Sequence, residues 1–155
     1  MKLKAICCDV LYREMCAAAA RSVNCVDLEF LPKGLHDLGA EKMQARLQET
    51  IDRVDPERYE GILLGYALCS NGTCEPKSDR LPMVIARAHD CISLFLGSRH
   101  RYMKYFEENP GVYFETSGWL ERGKAESSGD ILAEQTIQGQ IGLNVEYEKL
   151  IEKYG

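Results

Sequence analysis

Long apolar runs are absent from this 155-residue chain. No stretch approaches the roughly 18 residues that a membrane-crossing helix needs, so no membrane partner is expected. Basic runs are absent as well. The 19 Lys and Arg are interspersed with 24 Asp and Glu, and a net charge of -5 speaks against nucleic acid. No phosphate cradle is present: Gly61, Gly65 and Gly72 form neither a P-loop nor a GxGxxG pattern, which leaves nucleotide binding without support. No signal-peptide core or cleavage site follows Met1. Met1-Lys2-Leu3-Lys4 leads directly into a β-like run, and a cytoplasmic location is the expectation.

What the chain does have is cysteine. Seven in a cytoplasmic protein are not expected to pair, because thiols are kept reduced there, and an odd count at irregular spacing lacks the form of a disulfide framework. That leaves buried small hydrophobes, metal ligands or reactive thiols. Cys16, in an Ala-rich helical stretch, and Cys25, ahead of a strand with no polar partner nearby in sequence, fit the first class. Cys7 fits it too, as a core residue.

Hydrophobic residues make up 45% of the chain and charged residues 28%, as expected for one soluble globular domain. Residues 3–11 form a nearly continuous apolar run, the pattern of a strand covered on both faces. Residues 12–22 are rich in Ala and predict a helix. Residues 26–31 alternate as a shorter strand, broken by Pro32 and Gly34. Met43, Leu47, Ile51 and Val54 recur at three- and four-residue spacing and predict an amphipathic helix over 40–54, ended by Asp55-Pro56. Strands are expected over 59–66 and 81–86. Asp90 is an N-cap candidate for a helix that runs to Asn109-Pro110-Gly111, with Ile92, Phe95, Leu96, Met103 and Phe106 on its buried face. Residues 112–115 predict a fifth strand. Residues 121–144 turn polar and read in part as a flexible loop, and 145–154 as a terminal helix. The alternation of strand and helix predicts a single α/β domain: three-layer, doubly wound, with a mostly parallel sheet of four to five strands.

Folds of this kind bind ligands at the carboxyl ends of their strands. The chain's Cys and His concentrate there. Cys8 lies in the first run, His36 follows the second, Cys69 and Cys74 follow the third, and His89 and Cys91 follow the fourth. Thiolate and imidazole are the ligands that zinc and several transition metals prefer. The placement points to a metal site drawn from Cys8, His36, Cys69, His89 and Cys91, with zinc favoured. Five candidates exceed the usual four ligands, so at least one is expected to support the others or to act in catalysis.

Two other readings stand beside it. Cys91 at a helix start, next to His89, is the best nucleophile candidate, which suits a metal-free thiol or redox enzyme with Cys69 as partner and His89 as base. A non-catalytic binding module for a small anion is the third. Asn71, Arg87 and Arg99 are the candidate contacts to such a ligand, since guanidinium matches carboxylate or phosphate. Tyr66 and Trp119 are candidates to close the pocket. Ordinary roles compete for the same residues: His36 can cap a helix, Cys8 can be core, and the charged stretch 97–102 can be a solvated face.

Gly65-Tyr66-Ala67-Leu68-Cys69-Ser70-Asn71-Gly72-Thr73, Arg87-Ala88-His89-Asp90-Cys91-Ile92 and Leu96-Gly97-Ser98-Arg99 resemble a prokaryotic family of unknown function, the domain-of-unknown-function family numbered sixteen thirty-eight. Cys8 before Val10-Leu11, Phe30-Leu31-Pro32 with Gly34-Leu35-His36, Asn109-Pro110-Gly111 and Gly118-Trp119 fit the same pattern, over roughly residues 4 to 121. The resemblance implies recurrent positions at Cys8, His36, Cys69, His89 and Cys91, with Cys7 and Cys74 peculiar to this chain. It also implies a possible association with corrinoid methyl-transfer systems, and longer relatives, so that a final strand is expected to be missing here. An oligomer is compatible with the sequence but not specified by it.

Overall fold

The computed structural model describes residues 1–69 and 71–122, apart from the side chain of His36. The expected terminal helix, and the expected flexible loop beyond Arg122, lie outside the described residues. Four strands form one parallel sheet: β1 (Lys2–Cys8), β2 (Cys25–Leu31), β3 (Gly61–Gly65) and β4 (Met83–Ile85), in the order β2-β1-β3-β4. The helices are α1 (Tyr12–Arg21), α2 (Ala40–Asp52), α3 (Cys91–Leu96), α4 (Arg99–Glu108) and α5 (Ser117–Glu121), with single 3-10 segments at Asp9–Leu11 and Lys33–Leu38. The architecture is α/β with an all-parallel sheet, as the strand–helix alternation predicts.

The period of two in β1 explains the layers. Ala5 and Cys7 point to one face, where Cys7 lies within electrostatic range of Cys16 on α1. Ile6 points to the other and joins Met43, Leu47 and Ile51 of α2 in the main core. Cys8 shares the parity of Ile6 and packs against that same core. A connection from β1 to β2 followed by one from β2 back across to β3 reverses direction, so crossovers of one hand put α1 and α2 on opposite faces. The α2 stripe forms because Met43, Leu47 and Ile51 recur every four residues, and all three are all but inaccessible.

Two expectations need correction. The single helix from Asp90 to Asn109 is two, because Gly97 takes a left-handed φ of 68° that closes α3, and the Ser98 hydroxyl then accepts the Arg101 N–H to start α4. The break turns α4 outward: Met103 is 43% and Phe106 46% exposed, so neither belongs to the expected buried face. Residues 112–115 are not a strand. Phe114 instead sets its ring 5.6 Å from those of Tyr102 and Tyr105, a contact that occupies the segment against α4 rather than the sheet. Glu121, placed in the expected loop, closes α5. No helix among the described residues is long and apolar enough to cross a membrane.

Leu47→Ala should cost about 2–5 kcal/mol, because the side chain is fully enclosed. Val84→Ala on the exposed part of β4 should change stability by no more than about 0.5 kcal/mol. Urea unfolding monitored by circular dichroism checks both, and equal effects at the two positions would contradict the core assigned here.

Candidate functional site

The carboxyl ends of β1 and β3 part at the point where the chain reverses direction across the sheet, and a crevice opens there. Each neighbouring segment contributes to it. Cys8 is the last residue of β1, and the chain then tightens into the 3-10 segment that carries Val10 and Leu11. Beyond β3, Tyr66 and Ala67 lead to Cys69. The Leu68 N–H donates to the Ala88 carbonyl at 2.9 Å and the Cys69 N–H to the His89 carbonyl at 3.2 Å, so the parallel pairing of the two chains continues past the strands and sets Cys69 beside His89. Cys91 is the first residue of α3, next to the cap residue Asp90.

These segments enclose a cavity of about 170 Å³ lined by Cys8, Tyr66, Cys69, His89, Asp90 and Cys91, together with Val10, Leu11, Ala67 and Trp119. Four of the five expected metal ligands therefore meet at one place. The fifth, His36, lies in the 3-10 segment after β2, and its side chain is outside the described residues. Cys74 is exposed, with its thiol 3.8 Å from Asn71 Oδ1. Asn71 sits in the turn after Cys69 with a left-handed φ of 68°, its carbonyl accepting from Gln44 Nε2 at 2.9 Å, and it lines neither this cavity nor the larger cleft beside it. Arg87 and Arg99 line that neighbouring cleft.

The loop carrying Cys69 is held in a costly shape. Cys69 itself has φ 45°, a region that side-chain-bearing residues seldom occupy and that concentrates at functional sites. The Gly72 N–H returns to the Cys69 carbonyl at 3.0 Å, and the Thr73 hydroxyl donates to the Ala67 carbonyl at 3.1 Å. Gly72 packs so close to Met43 of α2 that a Cβ there would collide with the methionine side chain. The turn is thus seated on the core helix.

Burial outweighs the hydrogen bonds that favour the thiolates. Burial pushes Cys8 up to about 12, reinforced by Asp9, Cys69 and Cys91, while the Val10 N–H pulls the other way. Burial likewise pushes Cys69 up to about 11, with Cys91 and Asp90 adding to it. Cys91 is raised by burial too, although the Trp119 indole N–H donates to its sulfur and opposes the shift. Asp90 occupies the α3 start: its carboxylate accepts the Ser93 N–H at 2.8 Å, which places negative charge next to Cys91. Among the described residues no lysine or arginine lines the cavity. Tyr66 is 2% exposed, yet its hydroxyl has no hydrogen-bond partner among the described residues, and the same holds for Asp9 Oδ1 just below Cys8. Buried polar atoms without partners are uncommon and costly.

His89 stands at the mouth. Its side chain is 74% exposed and Nδ1 lies 3.3 Å from Asp90 Oδ2, which leaves Nε2 directed elsewhere. Among the described residues no group of three or more His, Cys, Asp or Glu side chains is spaced to hold a metal ion as it stands. The donors suit a soft ion by chemistry, but their present separation does not form a ready-made cage. Asp9 and Asp90 are the members of this neighbourhood that Cys and His counting missed. Asp9 carried a signal, an acid directly after a strand-end cysteine.

Comparison with known proteins adds a family. Residues 30–153 match the model described as Protein of unknown function (DUF1638), a span that includes His36, Cys69, His89 and Cys91 and begins after Cys8. No curated protein matches. No solved structure matches.

An unfolded thiol ionises near its ordinary 9.0, whereas folded Cys8 keeps its proton to about 12 and folded Cys69 to about 11. Stability should therefore be level below about pH 9 and fall as the pH climbs from there toward 12, with Cys8→Ser making the fall shallower. Urea unfolding across that range checks it. Iodoacetamide near neutral pH should modify exposed Cys25 and Cys74 well before Cys8 or Cys69, as read by peptide mass spectrometry.

Proposed function

We propose that this chain, which belongs to the DUF1638 family of unknown function, carries a thiolate metal centre in which Cys8, Cys69 and Cys91 ligate a soft transition metal, zinc favoured, for methyl- or thiol-transfer chemistry. The observation that carries the reading is the meeting of the Cys8, Cys69 and Cys91 thiols around one cavity that, among the described residues, no lysine or arginine lines. Thiols so placed stay protonated and inert as free nucleophiles, because burial raises all three and Asp90 adds to the shift at Cys69 and Cys91. A cation that brings its own charge reverses that penalty, since a coordinating thiol is deprotonated outright. The unpartnered Tyr66 hydroxyl beside the sulfurs supports an occupant at the same place.

Cys8, Cys69 and Cys91 would hold the ion, which would supply Lewis-acid activation of a substrate thiol or water. The chain's own groups have separate tasks. Cys69 is the sulfur presented by the turn seated on the core helix, with the left-handed φ of 45° that the turn imposes. Trp119 orients Cys91 through its indole N–H and shields the cavity. His89, steered by Asp90 and open to solvent, is positioned to carry a proton away from an incoming thiol. A fourth protein ligand, for which His36 is the candidate, would make the site structural instead of open. The rival, a metal-free Cys69–Cys91 redox pair, draws on the electrostatic proximity of those two thiols.

Metal analysis of tag-free protein kept reduced should find close to one ion per chain, and cobalt substitution should give a thiolate-to-metal charge-transfer band. Cys8→Ser, Cys69→Ser and Cys91→Ser should each weaken retention. Because thiol protons leave on binding, log apparent affinity should rise by about three per pH unit below pH 8. A metal content below about 0.2 per chain, with no cobalt band, sinks the centre. Recovery of a Cys69–Cys91 disulfide in such metal-free protein would establish the rival.

A further inference from the structure

Beside the thiol cavity lies a larger cleft of about 740 Å³, and His89 lines both. The cleft lies between the loop after β4 and the α3–α4 pair. Its volume falls in the range of small-molecule sites. Its floor and one wall are apolar, supplied by Leu68, Ile85 and Met103. The polar groups that line it divide sharply. The hydroxyls are already committed: Thr73 donates to the Ala67 carbonyl at 3.1 Å, Ser93 to Asp90 Oδ1 at 3.0 Å, and Tyr102 to the Asp90 carboxylate. Arg87 and Arg99 are not. Neither guanidinium has a hydrogen-bond or ion-pair partner among the described residues, and no carboxylate lines the cleft. The same two arginines also border a smaller cavity of about 220 Å³ on the other side, so they stand together between two open spaces.

Two exposed guanidinium groups therefore line one cleft with no acid beside them among the described residues. Uncommitted forked donors of this kind match an oxyanion, either carboxylate or phosphate. The apolar wall calls for more than an inorganic ion.

We propose that the cleft binds a small organic oxyanion, with Arg87 and Arg99 on its charged head and the apolar wall against its body. The ligand reaches the thiol cavity past His89, so the cleft is the anchoring half of the substrate site. Anchoring needs only the arginines and the cleft, and does not depend on a metal being present.

Calorimetric titration of the full chain with phenyl phosphate, phenylacetate, inorganic phosphate and benzyl alcohol tests it. At least one of the two phenyl anions should bind tenfold or more tightly than benzyl alcohol, weaken as sodium chloride is raised, and exceed inorganic phosphate; the tighter of the two names the head group. The double variant Arg87→Met with Arg99→Met should lose at least tenfold in that affinity. Both side chains are exposed, so its thermal unfolding should match the parent. Protein treated with a chelator should bind the anion as the untreated protein does, because anchoring rests on the arginines. The proposal is overturned if benzyl alcohol binds as well as both anions, or if the folded double variant keeps its affinity. Loss of binding on chelation with retention in the arginine variant would also overturn it, by moving the anion to the thiol cavity. Failure of the metal analysis with success here leaves an anion site without a metal centre, so the two readings fail separately.

Discussion

Everything in this molecule hangs on the central strand. β1 is paired on both sides, residue for residue from Lys2–Cys8 with β2 and from Leu3 to Cys7 with β3. The β3 side is tight: opposite Cys7 stands Gly65, where a Cβ would lie 2.5 Å from the Cys7 sulfur. That close approach locks the register, and register decides which cysteine does what. A slip of one residue would turn Cys8 away from the α2 core and present Cys7 in its place. With the register held, Cys7 is sealed under α1 and Cys8 ends its strand at the crevice.

The crevice inherits its electrostatic character from the same packing. Cys8 and Cys69 adjoin the apolar core built on α2, so burial raises their thiols before any neighbour is considered. Ion pairs elsewhere lie away from the crevice, half-buried as with Lys4 and Glu29 at 2.8 Å or exposed as with Arg13 and Glu121 at 2.6 Å. Arg122 and Lys33 approach only as far as Asp9, and Lys33 Nζ is held by the Trp119 carbonyl at 3.0 Å and stands 4.7 Å over the indole ring. These contacts pin α5, and with it Trp119, over the cavity. The result is a sulfur-lined space next to a cleft whose positive charges lie a short step away, with exposed His89 between them. Soft donors and hard cations are thereby kept in separate compartments.

Much of this could be read from the residues. The long apolar run of β1, the α2 stripe and the Asp90 cap are local patterns, and each formed at its place, although Asp9–Leu11 turn into a 3-10 segment and α2 stops at Asp52, short of Val54. The meeting of Cys8, Cys69, His89 and Cys91 followed from one topological rule about strand ends. Other features were hidden. Met103 and Phe106 carry helical spacing that looks buried, but the left-handed turn at Gly97 redirects the helix that bears them. Residues 112–115 have a strand's composition and lost the competition to ring packing against α4.

The sequence by itself determined the four strands, the α2 helix and the strand-end placement of the thiols, because periodicity, turn residues and motif spacing are properties of neighbours along the chain. Only the tertiary structure decided that Tyr66 buries a hydroxyl with no partner among the described residues, and that Arg87 and Arg99 face a cleft lined by no acid among them. Those outcomes depend on which surfaces meet across the sheet. Burial and charge are set by groups far apart in sequence, and no local pattern encodes their distance in space.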